Sequence, residues 1–192
     1  MKRICEALKA RILLIQTPGS FRPVKLNDAI EFFHNVERED LTIVWETRGP
    51  DWGKPGTRAI LENILKTVDV PHVVDPFKST PAYSSNITYF RLHGTGKKLY
   101  YYQYSNDELK RLYKLVEPFE RKGREVYVFF NNLAMLDDAK RFMHYLKSGS
   151  FPSLTGAVGL DSVRAIIQKT RYPTTKSVLL QRLGWRLVEL ES

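Results

Sequence analysis

Short apolar runs rich in β-branched and aromatic residues alternate along this chain with longer amphipathic stretches, and that alternation leaves few folds open. The runs at 12–15, 41–46, 71–74, 87–92 and 126–130 read as buried strands. Between them, 25–36 sets Leu26, Ile30 and Phe33 on one helical face, and 57–68 does the same with Ile60, Leu61, Ile64, Leu65 and Val68. Residues 105–122 open on Ser105-Asn106-Asp107-Glu108, a capping box, and then space Leu109, Leu112 and Leu115. Residues 136–146 read as a further helix, and only 75–86 joins two strands without a clear one. Strand and helix in alternation imply a parallel sheet with helical crossovers, and strands without polar alternation imply that both faces are covered. A doubly wound sheet and a (β/α) barrel both satisfy this.

Length narrows the choice. The first 150 residues hold five such units at about 30 residues each, whereas a complete eight-unit barrel needs about 250 residues, so a barrel here lacks about three units. Residues 1–150 are expected to form that partial domain. Residues 151–192 are expected to form a small extension: a helix at 161–170, a second at 176–183 after the start signal Tyr172-Pro173-Thr174-Thr175, a stop at Gly184, and a terminal strand at 185–190.

With 43% hydrophobic and 27% charged residues among 192, the chain has ordinary globular composition. Its single cysteine, Cys5, excludes a disulfide framework within the chain and cysteine-rich metal sites, and fits a reducing cytosol. The N-terminus mixes both signs of charge and lacks the apolar core of a signal peptide. The longest uncharged apolar stretch, 126–136, is too short to span a bilayer. A cytoplasmic protein with no membrane partner is expected. The net charge of +9 admits nucleic acid, phosphorylated ligands or anionic surfaces as partners without choosing among them.

Each expected strand is apolar until its C-terminal end and then turns polar: Gln16-Thr17-Pro18, Glu46-Thr47-Arg48, Asp75-Pro76, Arg91-Leu92-His93-Gly94 and Asn131-Asn132. In a parallel α/β fold these ends converge on one face, where ligands bind. Any one polar exit merely marks where a strand stops; five of them together favour a site. Residues two apart point the same way, which pairs Glu46 with Arg48 and Arg91 with His93. Arg48 and Arg91 can fork an anion such as a carboxylate or phosphate. His93 can move protons near neutral pH, and Glu46 can act as a base, although beside Arg48 an ion pair is the favoured role. Gln16, Asp75, Asn131 and Asn132 can orient a ligand. Glu46, Asp75 and His93 are also of a type that coordinates divalent metal, but no specific metal-binding spacing occurs, so no metal is assigned and the cofactor stays open.

Gly94-Thr95-Gly96-Lys97-Lys98 is not a Walker loop, yet its backbone and lysines can grip phosphate, and the following Tyr100-Tyr101-Tyr102-Gln103-Tyr104 interleaves aromatics with those cations. Packing of these tyrosines on the core is the favoured reading. His34, His72 and His144 read as surface or packing residues.

The strand ends also carry a family resemblance. Gln16-Thr17-Pro18-Gly19-Ser20-Phe21, then Glu46-Thr47-Arg48 with Trp52, then Tyr89-Phe90-Arg91-Leu92-His93-Gly94 follow the motifs of one family in order. Tyr104-Ser105 with Glu108-Leu109, and the run from Val126 to Asn131-Asn132, continue the match. Over about residues 8–148 the chain resembles the YecE-like family, domain of unknown function 72. The resemblance implies the C-terminal part of a TIM-type barrel and no particular reaction. The family's N-terminal motifs, Gly-Thr-Ser-Gly-Trp-like and Glu-Ile-Asn-x-Thr-Phe-Tyr-like, are absent, which agrees with the count of missing units and implies an incomplete mouth.

The sequence therefore leads to an uncharacterised protein with an anionic-ligand site at the strand ends, expected to be a hydrolase of a phosphorylated or sugar-like substrate if it is an enzyme. The alternative is a non-catalytic binding protein, for nucleic acid among other ligands, or an inactive fragment. Self-association, or a chain supplying the missing strands, is the expected way to cover open sheet edges.

Overall fold

The computed structural model describes residues 2–168 and 170–190. Lys169, one of the basic residues of the tail, lies outside the described residues. Among those described are β1 (Ile12–Gln16), β2 (Thr42–Glu46), β3 (His72–Val73), β4 (Ile87–Leu92) and β5 (Glu125–Phe130). The helices are α1 (Lys2–Leu8), α2 (Leu26–Asn35), α3 (Pro55–Thr67), α4 (Asn106–Glu120), α5 (Met135–Ser148), α6 (Gly159–Ile167) and α7 (Lys176–Leu183). The protein is α/β with parallel strands in small sheets: β1, β2 and β3 lie in consecutive order, β4 pairs with β5, and one parallel bridge joins Val74 to Phe90. The chain divides into two compact units. Residues up to Leu92 with Leu115–Phe129 form one; His93–Lys114 with Phe130–Ser192 form the other.

In the first unit, strand alternation sorts side chains between two apolar layers. Ile43 and Trp45 of β2 face a core with Leu26, Ala29 and Phe33 of α2 and Leu61 and Leu65 of α3. Both helices are amphipathic at the 3.6-residue period, so their apolar stripes have one surface to cover. Val44 faces the other way and packs with Val73, Ile87 and Tyr89, against which Ile12, Leu14 and Tyr127 lie half-buried. The side chain of Arg38 donates to the carbonyls of Phe33 (3.0 Å) and Val68 (2.7 Å), satisfying open carbonyls at the ends of α2 and α3 with one cation. Phe119 of α4 packs edge-on to Phe90 at 5.3 Å.

In the second unit, the capping box at the start of α4 forms as its spacing predicts: Ser105 N–H donates to the Glu108 carboxylate (2.8 Å) and Glu108 N–H to the Ser105 hydroxyl (3.2 Å). The extension from 151 onwards lies within this unit and carries α6 and α7. Residues 185–190 do not form the expected strand. Their backbone groups find other partners: Leu187 N–H donates to Gln103 Oε1 (3.0 Å), Glu189 N–H to Ser162 Oγ (3.0 Å), and the Glu189 carbonyl accepts from Gly159 N–H (2.8 Å). With those groups bonded singly to side chains and a loop, no ladder forms.

Gly94 holds a position no other residue fits. Its φ is +88°, and a Cβ there would stand 2.6 Å from the Cβ of Tyr102. Gly94→Ala is expected to lower stability by about 2–3 kcal/mol, from backbone strain and overpacking together. Thermal unfolding checks this: a midpoint within about 1 °C of the parent would contradict it.

Candidate functional site

Register builds the site. Gln16 is paired with Glu46 across β1 and β2. Each lies an even number of residues beyond the apolar side chains of one face: Ile12 and Leu14 before Gln16, Val44 before Glu46. Arg91 stands in the same relation to Ile87 and Tyr89 on β4. Three strands therefore end in a polar layer directly above an apolar one.

Arg91 Nη1 donates to Glu46 Oε2 at 2.6 Å and to the side-chain oxygen of Gln16. Arg48 Nε donates to Glu46 Oε1 at 3.1 Å. The Glu46 carboxylate, about 6% exposed, is thus held through both oxygens by two guanidinium groups that remain 28% and 20% exposed. The cations are the parts of this cluster that reach solvent. A cavity of about 90 Å³ lies beside Arg48, lined also by Gly19, Phe21, Gly49, Asp51 and Trp52. Phe21 and Trp52 stack in parallel at 6.3 Å, and Trp52 Nε1 donates to the Phe21 carbonyl (3.2 Å), so these two motif residues shape that wall.

The structure therefore brings Gln16, Glu46, Arg48 and Arg91 together. Asp75 is buried after β3 and serves the turn there. Its Oδ1 accepts from Phe77 N–H (3.1 Å), its carbonyl accepts from Lys78 and Ser79, and Lys78 pairs with it at 3.5 Å. His93, Asn131 and Asn132 belong to the second unit. There the His93 ring is buried 5.9 Å from the Tyr100 ring. Asn132 Nδ2 donates to the Tyr102 carbonyl (2.8 Å) and to Asp138 (2.7 Å), an internal strut. Asn131 is half-buried.

His72, expected as a surface or packing residue, is buried, and its protonation state follows from its bonds. Nδ1 accepts from Ala82 N–H (3.1 Å), so Nε2 carries the proton and faces Thr47 Oγ1 (3.0 Å). Burial, with a smaller push from Arg58, lowers its pKa to about 4. Sequence reading missed the cluster around Asp138. This carboxylate, fully buried, accepts from Tyr104 N–H, Asn132 Nδ2 and Arg141 Nη1 (3.2 Å); Arg141 also donates to the Tyr104 carbonyl (2.7 Å) and to Asn106. Among the described residues no group of three or more His, Cys, Asp or Glu is placed to hold a metal ion. None of the described helices is long and apolar enough to cross a membrane.

The comparisons agree with this architecture. A family described as "Protein of unknown function DUF72" matches residues 1–155. A DUF72 family protein of Thermotoga maritima, known from a crystal structure, is 27% identical, with 77% of this chain and 63% of that one covered at a TM-score of 0.59. Another, from Enterococcus faecalis, is 26% identical, with 77% and 64% covered at 0.60. The chain thus spans less than two thirds of the length of either relative. No curated protein matches it in sequence. With the motifs at its strand ends and the family match over most of its length, the chain belongs to the DUF72 family.

Proposed function

We propose that the first unit binds a small anionic ligand, a phosphate ester or a carboxylate, at the C-terminal ends of β1, β2 and β4. The observation that carries this reading is the Glu46 carboxylate shared by two partly exposed arginines. Glu46 pre-positions both guanidinium groups while each stays partly exposed, and a guanidinium fork suits bidentate capture of an anion. The two ion pairs give Glu46 the role of holding the arginines in place, and binding is the function proposed for this unit.

The finer fold reading goes with it: consecutive strand order, parallel pairing and stacked side-chain layers suit five units of a TIM-type barrel, with a second copy or another chain covering the β1 and β5 edges. Titration calorimetry with inorganic pyrophosphate and glucose 6-phosphate tests the site. Saturable binding that weakens at least tenfold in Arg48→Lys, which keeps the charge and loses the fork, is the expected result. Equal affinity in the parent and in Arg48→Lys, or no binding by either, would overturn the reading.

A further inference from the structure

We propose that the second unit binds single-stranded nucleic acid along an aromatic–cation array where the C-terminal tail meets the loop after β4. Charge is the first observation. The second unit holds fourteen of the 30 Lys and Arg residues against seven of the 21 Asp and Glu, so it carries +7 of the chain's +9. Such an imbalance attracts a polyanion and leaves the partner's identity to the local chemistry.

The local chemistry is a contiguous row. Lys98 Nζ sits 3.5 Å from the centre of the Tyr101 ring. Tyr101 meets Trp185 edge to face, with ring centres 6.4 Å apart. The Arg186 guanidinium lies 5.6 Å from the Trp185 ring. Lys97, Lys98 and Arg182 are exposed, and Tyr101, Trp185 and Arg186 are half-buried. Rings flanked by cations are what a single strand needs: its bases offer π-faces to aromatic side chains, and its phosphates follow a basic track. A duplex keeps its bases stacked on one another and offers these rings nothing.

The row is also held in place before any ligand arrives. Gly94 and Gly96 press against the Tyr102 ring, whose hydroxyl is bonded to Thr95 and Glu108, fixing the lysine loop. Trp185 Nε1 donates to the Arg182 carbonyl (2.7 Å), Leu187 N–H to Gln103 (3.0 Å), and Arg186 pairs with Asp137 (3.0 Å), fixing the tail. Fixed side chains lose little freedom on binding.

The test uses the full chain and a fluorescein-labelled oligo(dT) of 15 nucleotides, read by anisotropy and by tryptophan emission. Trp45 and Trp52 are 1% and 4% exposed, so quenching on titration with unlabelled oligo(dT) reports Trp185. The expected result is binding that quenches tryptophan emission and weakens steeply from 50 to 200 mM salt. Affinity should fall about tenfold in Trp185→Ala and stay near parental in Trp185→Phe. Lys97→Gln with Lys98→Gln, both exposed and safe for folding, should flatten the salt slope by about 0.7 for each phosphate left without its cation. Equal affinity for a 15-base-pair duplex without quenching would overturn the proposal in favour of charge alone. So would tighter binding to anionic phosphatidylserine vesicles than to oligo(dT), or no binding to the oligonucleotide.

Discussion

Replacing Arg141 with methionine is expected to lower the stability of the chain by about 3–5 kcal/mol, the loss typical of stranding a buried charge. Arg141 and Asp138 are 4% and 0% exposed as side chains. Removing the guanidinium leaves Asp138 buried beside two amide-type donors only, and leaves the Tyr104 carbonyl and Asn106 without their donor. Urea unfolding at pH 7 reads the loss, and a change below about 1 kcal/mol would show that water takes the guanidinium's place. The same cluster sets a pH dependence. Desolvation raises the Asp138 pKa from 3.8 to about 6, against the pull of Asn132, Tyr104 and Arg141. Between those two values the folded chain holds a proton that the unfolded chain has released. Stability from this group is therefore greatest below about pH 4, falls as pH rises to about 6, and is flat above that. The drop is about 2–3 kcal/mol, at 1.36 kcal/mol for each pKa unit. Asp138→Asn should abolish that component, so that its stability falls less than the parent's between pH 4.5 and 7; parallel curves would refute the assignment.

Arg91→Met is expected to lower stability by about 2–3 kcal/mol and to abolish anion binding by the first unit. The loss is smaller than at Arg141 because Arg48 still neutralises Glu46 from its other oxygen. Combining Arg91→Met with Glu46→Gln should recover about half, since the buried oxygen that Arg91 served then carries no charge. A double-mutant cycle over the pair is expected to show a coupling of about 1–3 kcal/mol. Additive losses would mean that Glu46 and Arg91 act independently and that the site is not one unit.

How much of this was legible from residues alone depended on how local each signal was. The strands announced themselves because β-branched and aromatic runs gave way to polar groups at or near their C-terminal ends, Gln16, Glu46 and Arg91 among them. Helix α7 spans Lys176–Leu183, as Thr175 before it and Gly184 after it foretold. Helix α1 gave no such sign: Cys5 is its buried apolar contact, and no stripe runs along it. Residues 185–190 carried strand-like composition, but side chains of Gln103 and Ser162, far off in sequence, claimed their backbone. In sequence, Asp138 and Arg141 are an acid and a base one helical turn apart, with nothing local to mark them as buried. Their burial depends on a loop at Tyr104 that sequence spacing does not link to them. The Gln16–Glu46–Arg91 contact spans 75 residues and joins strand ends that spacing along the chain does not link, while Asp75 at another strand end also holds its own turn.

The bridge between Val74 and Phe90 gives the Arg91 cluster a mechanical meaning. Sheet β1-β2-β3 and the β4-β5 pair meet along a seam that one backbone bridge crosses. Arg91 reaches over that seam to Gln16 and Glu46, so its side chain is a clasp between two sheets that backbone hydrogen bonds hardly join. An anion gripped by Arg48 from one sheet and Arg91 from the other would add a second clasp on the same line. Occupancy would then be felt as resistance to parting along the seam, and β4 would be the strand whose hold on its neighbours is set by what the arginines carry.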